Sequence, residues 1–281
     1  MSELKKQIVR IAILDLYEGA ANEGMRCLRQ LIAAFREEWN VEIQCDEYEV
    51  RLKKEIPDLS YDIYISSGGP GSPLESENSE WEKLYFNWIK HIDKWNNNEA
   101  HIQKKHTLFI CHSFQLACRY YNIAQVCKRK STSFGVFPVH LMNEGKAEPV
   151  FGEMQDPFYA VDSRDYQVIQ PNHNHLHAIG GHILAIEKER PHVNLERAIM
   201  AVRFNEYCIG TQFHPEADAV GMSMYLQTEE KKKTVIDNFG EEKWKSMIDH
   251  LNDPDKIMFT YSHIIPNFLN IAVQHLHTVE V

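Results

Sequence analysis

From His106 to Gln125 the chain reads HTLFICHSFQLACRYYNIAQ, a short apolar run followed at once by an amphipathic one. Thr107, Leu108, Phe109 and Ile110 have the brevity and the apolar, β-branched character of a buried strand. Phe114, Leu116, Ala117, Tyr120, Tyr121 and Ala124 then recur at helical spacing. Cys111 falls at the junction. A turn of this kind exposes its side chain, and the helix behind it offers free N–H groups and the positive end of a dipole. Such surroundings favour the thiolate, the nucleophilic form of a cysteine. A free cysteine also packs well as a small buried hydrophobe, and this stretch alone leaves both roles open.

Neighbouring segments repeat the alternation of strand and helix. Ile8 to Leu16 is a strand pattern, and Met25, Leu28, Leu31, Ile32 and Phe35 mark one face of a helix. Val41 to Val50 alternates apolar and polar side chains, and Tyr61 to Ser66 is a further strand. Ser79 begins a helix with capping-box spacing to Glu82. Trp81, Leu84, Tyr85, Trp88, Ile92 and Trp95 form its core-packing stripe, and Asn96 to Asn98 end it. Further on, Arg129 to His140 and Gly145 to Tyr166 predict short strands and turns. Ala198 to Phe204 and Tyr207 to Phe213 predict a hairpin turned at Asn205 and Glu206. Asp218 to Thr260 is charged and helical, with Trp244, Met247, Ile248 and Leu251 on one face, and Ile264 to Leu276 predicts a closing apolar helix. This order predicts an α/β sheet, which binds ligands at the carboxyl ends of its strands.

Charge and cysteine usage narrow the classes. Lys and Arg number 30 against 40 Asp and Glu, and the formal net charge of −10 argues against a nucleic-acid or anionic-membrane partner. The one run of lysines, Lys231 to Lys233, directly follows Glu229 and Glu230. No stretch approaches the length of a transmembrane helix, and the opening MSELKKQIVRIAILDL lacks the features of a signal peptide. Cys27, Cys45, Cys111, Cys118, Cys127 and Cys208 form neither zinc-like pairs nor a disulfide framework. The expectation is a reduced, cytoplasmic protein of one domain over 1–281.

Three further stretches can carry chemistry. Ser66 to Pro73, SSGGPGSP, follows a strand, where its glycines can aim bare backbone N–H groups into a site or simply make a turn. It lacks the lysine of a phosphate-binding loop. His214 and Glu216 stand two apart at the end of a strand. In one cleft, His214 can serve a thiol as base while Glu216 orients its ring; on a surface they are an ordinary pair. In Pro171 to His177, PNHNHLH, an extended chain puts His173, His175 and His177 on one face, as metal binding requires. Asn and Pro favour an irregular loop instead, and no carboxylate or cysteine lies close by to complete a metal site.

Taken together, SSGGPGSP, FICHSFQ and TQFHPE resemble the class I, triad-type glutamine amidotransferase family, whose patterns run close to SGGPxS, GxCxGxQ and QFHPE in that order. The resemblance covers about Ile8 to Ala217, and Asn267 to Leu269 resembles the family's closing NFL segment. It implies a flavodoxin-like three-layer α/β fold with a mostly parallel, mixed sheet. To this the chain adds a helical insertion at about 218–260 and a closing helix at about 264–276. The resemblance also implies Cys111 as nucleophile, His214 as general base and acid, and Glu216 as its orienting carboxylate. The backbone N–H groups of Gly69 and His112 then form the oxyanion hole, and Gln115, Ser163 and Arg164 hold substrate. The implied substrate is glutamine, with ammonia passed to a separate synthetase protein. Neither metal nor cofactor is required, because the thiolate attacks and the N–H pair holds the oxyanion.

Three departures point to other outcomes. Phe109 and Ser113 replace the glycines two before and two after the nucleophile, and Ser restricts left-handed backbone angles. Arg164 replaces a histidine near the substrate's amino-acid end, where it can clamp a carboxylate or pair at the surface with Asp162 or Asp165. The alternatives are a γ-glutamyl hydrolase or acyltransferase with the same triad, or an inactive regulatory protein.

Overall fold

The computed structural model describes residues 8–191, 193–251 and 256–278. The chain's first strand, β1 (Ile8–Asp15), shows why the molecule is layered. Val9, Ile11 and Ile13 enter one apolar cluster, while Ala12 and Leu14 enter another on the opposite face. A strand buried on both faces reads as an unbroken apolar run. The first cluster is closed by α1 (Gly24–Glu38), through Met25, Leu28, Leu31, Ile32 and Phe35.

Next come β2 (Glu42–Glu49), β3 (Ile63–Ser66), α2 (Glu80–Asn96), β4 (His106–Ile110) and α3 (His112–Tyr120). The charged, half-exposed side chains of β2 suit its place at the sheet edge. α2 and α3 close the second cluster, with Tyr85, Trp88 and Ile92 from one and Phe114, Leu116 and Ala117 from the other. Ser79 caps α2, its hydroxyl accepting from the Glu82 N–H. The Glu82 carboxylate does not complete the expected box; it turns to Arg119 at 2.6 Å.

The remaining elements are β5 (Gln125–Leu141), α4 (Asn143–Ala147), β6 (Phe158–Ile169), α5 (His173–Ala178), β7 (His182–Glu187), β8 (Ile199–Asn205) and β9 (Cys208–Thr211). The last described elements are α6 (Ala219–Gln227), α7 (Glu229–Phe239), α8 (Glu241–Leu251) and α9 (Ile257–Thr278). Among the described residues the strands form one nine-stranded sheet, ordered β2-β1-β3-β4-β9-β8-β7-β5-β6. Four pairings, from β2 through β9, are parallel, and the other four are antiparallel. The sheet is therefore evenly mixed, not mostly parallel. The physical reason is that, among the described residues, no long helix crosses over between β5 and β9, so neighbouring strands there run in opposite directions.

Where short strands are expected between 129 and 166, β5 and β6 are long and pair across a register shift between Lys128 and Ser133. Polar side chains in β5 hide this strand from an alternation test, and pairing with β6 carries it. The sheet also curls: the His214 N–H donates to the Val161 carbonyl at 2.9 Å, so the edge strand β6 reaches the chain just past β9.

α9 covers the first face beside α1, through Ile264, Ile265, Phe268 and Leu269. Asn267, in the same segment, donates to the Val150 and Gly152 carbonyls at 3.3 Å each. The helix starts earlier than expected, so residues 257–260 belong to it. α6, α7 and α8 bury Leu226, Val235, Met247 and Leu251 with Val136 and Val161 of the β5–β6 pair. Residues 252–255 of the expected helical segment, and 1–7 of the opening stretch, lie outside the described residues. No helix among those described is long and apolar enough to cross a membrane.

Candidate active site

Cys111 ends β4 and precedes α3, where strand and helix meet. Its φ of 49° is a left-handed angle that few side chains adopt. A surrounding lattice of bonds holds it there. The Cys111 N–H donates to the Thr211 carbonyl of β9 at 2.7 Å. Ser113, two residues on, accepts from the Ile110 N–H at 2.7 Å and donates to the Ser66 carbonyl at 2.7 Å. The strained residue is thus the cysteine itself. Ser113 is already helical, so a glycine there is not needed, and its hydroxyl ties the turn to the end of β3.

Phe109 has an equally local explanation. It faces Gly210 across the β4–β9 pairing, and a Cβ on Gly210 would stand 2.8 Å from Phe114 and 3.1 Å from Phe204. The small residue sits on the neighbouring strand, leaving room for a phenylalanine cluster behind the turn.

His214 and Glu216 come from the chain beyond β9, fixed by the bridge to Val161. His214 Nδ1 lies 2.8 Å from Glu216 Oε1, and the Glu216 side chain is buried. Burial disfavours a charged imidazole, but Cys111 and Glu216 outweigh it and hold the His214 pKa well above its usual value. His214 thus pairs with Glu216 and lies within electrostatic reach of Cys111. An imidazole so placed can take the thiol's proton, keep it as imidazolium and return it to a leaving group. Gly68 packs directly against this ring: a Cβ there would be 2.8 Å from His214 Cε1.

Other groups converge on the sulfur. The Ser163 carbonyl of β6 lies 3.8 Å from Cys111 Sγ, and Gln212 Nε2 lies 3.7 Å from it. Gln115 is buried, and its Nε2 donates to Gln212 Oε1 at 3.0 Å. It reaches the sulfur through Gln212, a residue that only its place in the TQFHPE stretch marks out. Tyr17 also borders the site. Burial, then the charges of Glu216 and Cys111, push its phenol well above the usual range.

His112 follows Cys111 and opens α3, where the first N–H groups have no intrahelical partner. Its buried ring is pushed down to about 3 by burial and by the charges of Arg51 and Arg119, so the imidazole is neutral. Gly69 lies in the loop after β3, across from β1. Ser163 is exposed at the curled edge of the sheet, with its carbonyl toward the thiol. Arg164 is not at the surface. Its side chain is 1 % exposed, with Nε 2.7 Å from Asp162 and Nη2 3.3 Å from Glu187.

The three histidines stand apart from this site. Asn172 accepts from the His175 N–H and starts the short helix α5 in place of a loop. His175 Nε2 meets the Tyr121 carbonyl at 3.0 Å, and His177 packs edge-on to His182. Among the described residues, no group of three or more metal-binding side chains comes together.

Solved structures share this fold at low sequence identity. A glutamine amidotransferase from Thermotoga maritima aligns with a TM-score of 0.65 and 15 % identity, covering 94 % of this chain and 98 % of its own. A glutamine amidotransferase from Methylobacillus flagellatus aligns with a TM-score of 0.56 and 13 % identity, over 92 % and 94 %. The glutaminase domain of Trypanosoma brucei CTPS with bound acivicin aligns with a TM-score of 0.53 and 15 % identity, over 74 % and 86 %. No curated protein matches the sequence. The model of the class-I glutamine amidotransferase family matches residues 23–229, most of the chain. This chain belongs to the class-I glutamine amidotransferase family.

Proposed function

We propose that this protein hydrolyses the side-chain amide of glutamine through Cys111, His214 and Glu216. The observation that carries the proposal is the series of Cys111, at its left-handed turn, beside His214, whose Nδ1 lies 2.8 Å from Glu216. The thiolate attacks the amide carbon, and the carbonyl electrons move to oxygen. The N–H groups of Gly69 and His112 receive that oxyanion. Collapse expels the amine, which takes the His214 proton and leaves as ammonia. A water then loses its proton to His214 and attacks the glutamyl thioester, giving glutamate and free Cys111. Gln212, backed by Gln115, donates toward the sulfur as its charge changes. The Ser163 segment lies where the substrate's amino-acid end arrives, and Arg164 supports that segment from beneath.

The ammonia passes to an acceptor, as expected for a chain that aligns with a glutaminase domain. The cytoplasm, where glutamine and reduced thiols coexist, is its proposed compartment. Helices on both sheet faces support a flavodoxin-like three-layer arrangement, with the 218–260 helices as an insertion. Phe109 and Ser113 have local structural reasons, so neither argues for a different substrate.

Two measurements test the proposal. Ammonia release from glutamine is expected in wild type and absent in Cys111→Ala. Acivicin, which the Trypanosoma neighbour binds, is expected to modify Cys111 in a manner slowed by glutamine. Equal ammonia release by wild type and Cys111→Ala would reject it.

A further inference from the structure

Amide hydrolysis at Cys111 needs a donor for the oxyanion, and one of the two assigned above rides on the Gly68–Gly69 peptide. In a trans peptide the carbonyl and the N–H point in opposite directions. Whatever holds the Gly68 carbonyl therefore aims the Gly69 N–H.

In this chain the holder is Ser67. Its hydroxyl donates to the Gly68 carbonyl at 2.8 Å and accepts from the Leu16 N–H at 2.9 Å. Its own N–H donates to the Leu14 carbonyl at 3.0 Å, which fixes the serine to the end of β1. Ser67 is 1 % exposed, so no bulk water replaces these bonds. On the downstream side, Arg51 Nη1 donates to the Pro70 carbonyl at 2.7 Å and to the Leu16 carbonyl at 3.2 Å. Its Nη2 pairs with Glu18 at 2.6 Å, and its guanidinium lies over the Trp81 ring. Both ends of the Gly68–Gly69 segment are thus fastened to the exit of β1.

We propose that Ser67 is a positioning residue that sets the orientation of the Gly68–Gly69 peptide, with Arg51 as its downstream clamp, so that the oxyanion donor stands ready in the isolated chain. The proposal rests on the amidotransferase reading of the site. Without the serine hydroxyl, the Gly68 carbonyl loses its donor and the Leu16 N–H its acceptor. Glycines on both sides of the peptide then let it turn over with little steric resistance. A turned peptide presents a carbonyl where the oxyanion forms. Losing one oxyanion donor lowers kcat by about 100- to 1000-fold in other acyl-transfer enzymes.

The test compares wild type, Ser67→Ala, Ser67→Thr and Arg51→Met in glutamine hydrolysis and in alkylation of Cys111 by iodoacetamide. Alkylation at carbon builds no oxyanion, so it reports the thiolate alone. Ser67→Ala is expected to lose about 100-fold in kcat, with KM and alkylation rate within about threefold of wild type. Ser67→Thr, which keeps the hydroxyl, is expected to recover most of that loss. Arg51→Met, which keeps Ser67, is expected to lose about tenfold in kcat with alkylation unchanged, and it decides the matter if Ser67→Ala does not fold. A folded Ser67→Ala with wild-type kcat overturns the proposal, as does a parallel fall in turnover and alkylation. Wild-type turnover no faster than Cys111→Ala is a separate failure, because it removes the amidotransferase reading itself.

Discussion

Gln115 donates its side-chain N–H to the Gln212 carbonyl oxygen at 3.0 Å, and Gln212 in turn points its own amide nitrogen at Cys111 Sγ from 3.7 Å. Both residues are buried. In the proposed reaction Gln115 serves the sulfur indirectly, by fixing which way the Gln212 amide faces. An amide nitrogen is a donor, and a donor favours a charged sulfur over a neutral one.

This chain of amides predicts an ordered pair of losses. A hydrogen bond to a charged group is worth about 1.5–3 kcal/mol, which corresponds to about 10- to 100-fold in rate. Gln212→Met, close to isosteric, should lower kcat by that amount. Gln115→Met should lower it by less, because Gln212 remains. The double variant should be no slower than Gln212→Met alone, since contacts in one network are not additive. Additive losses would mean that Gln115 touches substrate on its own account.

In the proposed mechanism the His214–Glu216 pair sets the response to pH. Cys111 and Glu216 together overcome the burial of His214 and hold its pKa well above 6.5. Wild-type kcat/KM should therefore keep its alkaline limb far above that value. Glu216→Gln preserves the hydrogen-bonding shape and removes the charge, so the limb should move down, with a larger loss at about pH 8 than at about pH 6. Stability follows the same sign. The folded state favours the imidazolium, so its contribution is complete below about 6.5 and fades as pH rises through the raised value. As pH climbs past about 6.5, the unfolding midpoint of wild type should fall relative to Glu216→Gln. A parallel pair of pH profiles would remove the carboxylate from this role.

Ser113 makes a prediction that runs against its motif. Ser113→Gly restores the residue found at this position in the family pattern, yet it should destabilise this protein. It removes the acceptor for the Ile110 N–H and the donor for the Ser66 carbonyl, both within the buried turn. An unsatisfied buried group costs about 1–3 kcal/mol, and a helical glycine costs about 1 kcal/mol more. Urea unfolding should show a lower midpoint with an unchanged slope. A midpoint at or above that of wild type would show that the glycine is the better residue even here.

The parallel half of the fold was readable from single segments, because β1, β3 and β4 are apolar runs bounded by turns and α1 and α2 carry clean stripes. The antiparallel half was not. β5 is polar over much of its length and becomes a strand through pairing with β6, a partner some thirty residues away. Likewise, Cys111, His214 and Glu216 could be named as candidates from their places at strand ends, whereas Ser67, Gln212 and Arg51 could not. Their roles depend on which carbonyl or sulfur the fold brings within reach. Phe109 looked like a departure from pattern only because its compensating partner, Gly210, lies on a strand about a hundred residues later.

Arg164 separates two physical roles with one substitution. Its guanidinium is held by Asp162 at 2.7 Å and Glu187 at 3.3 Å, and Glu187 also pairs with Arg129 at 3.0 Å. With its side chain 1 % exposed, it has no free face for a substrate carboxylate. Arg164→Met should therefore act first on stability. It leaves Asp162 buried with the Ser133 hydroxyl as its remaining side-chain partner at 2.7 Å. Breaking a buried pair in this way costs about 3–5 kcal/mol, a large part of a typical total of about 5–15 kcal/mol. Adding Asp162→Leu should recover part of the loss, because it removes the stranded charge. The glutamine KM of the folded fraction should stay close to wild type. A stable Arg164→Met with a sharply raised KM would instead make Arg164 a substrate clamp that opens in the bound state.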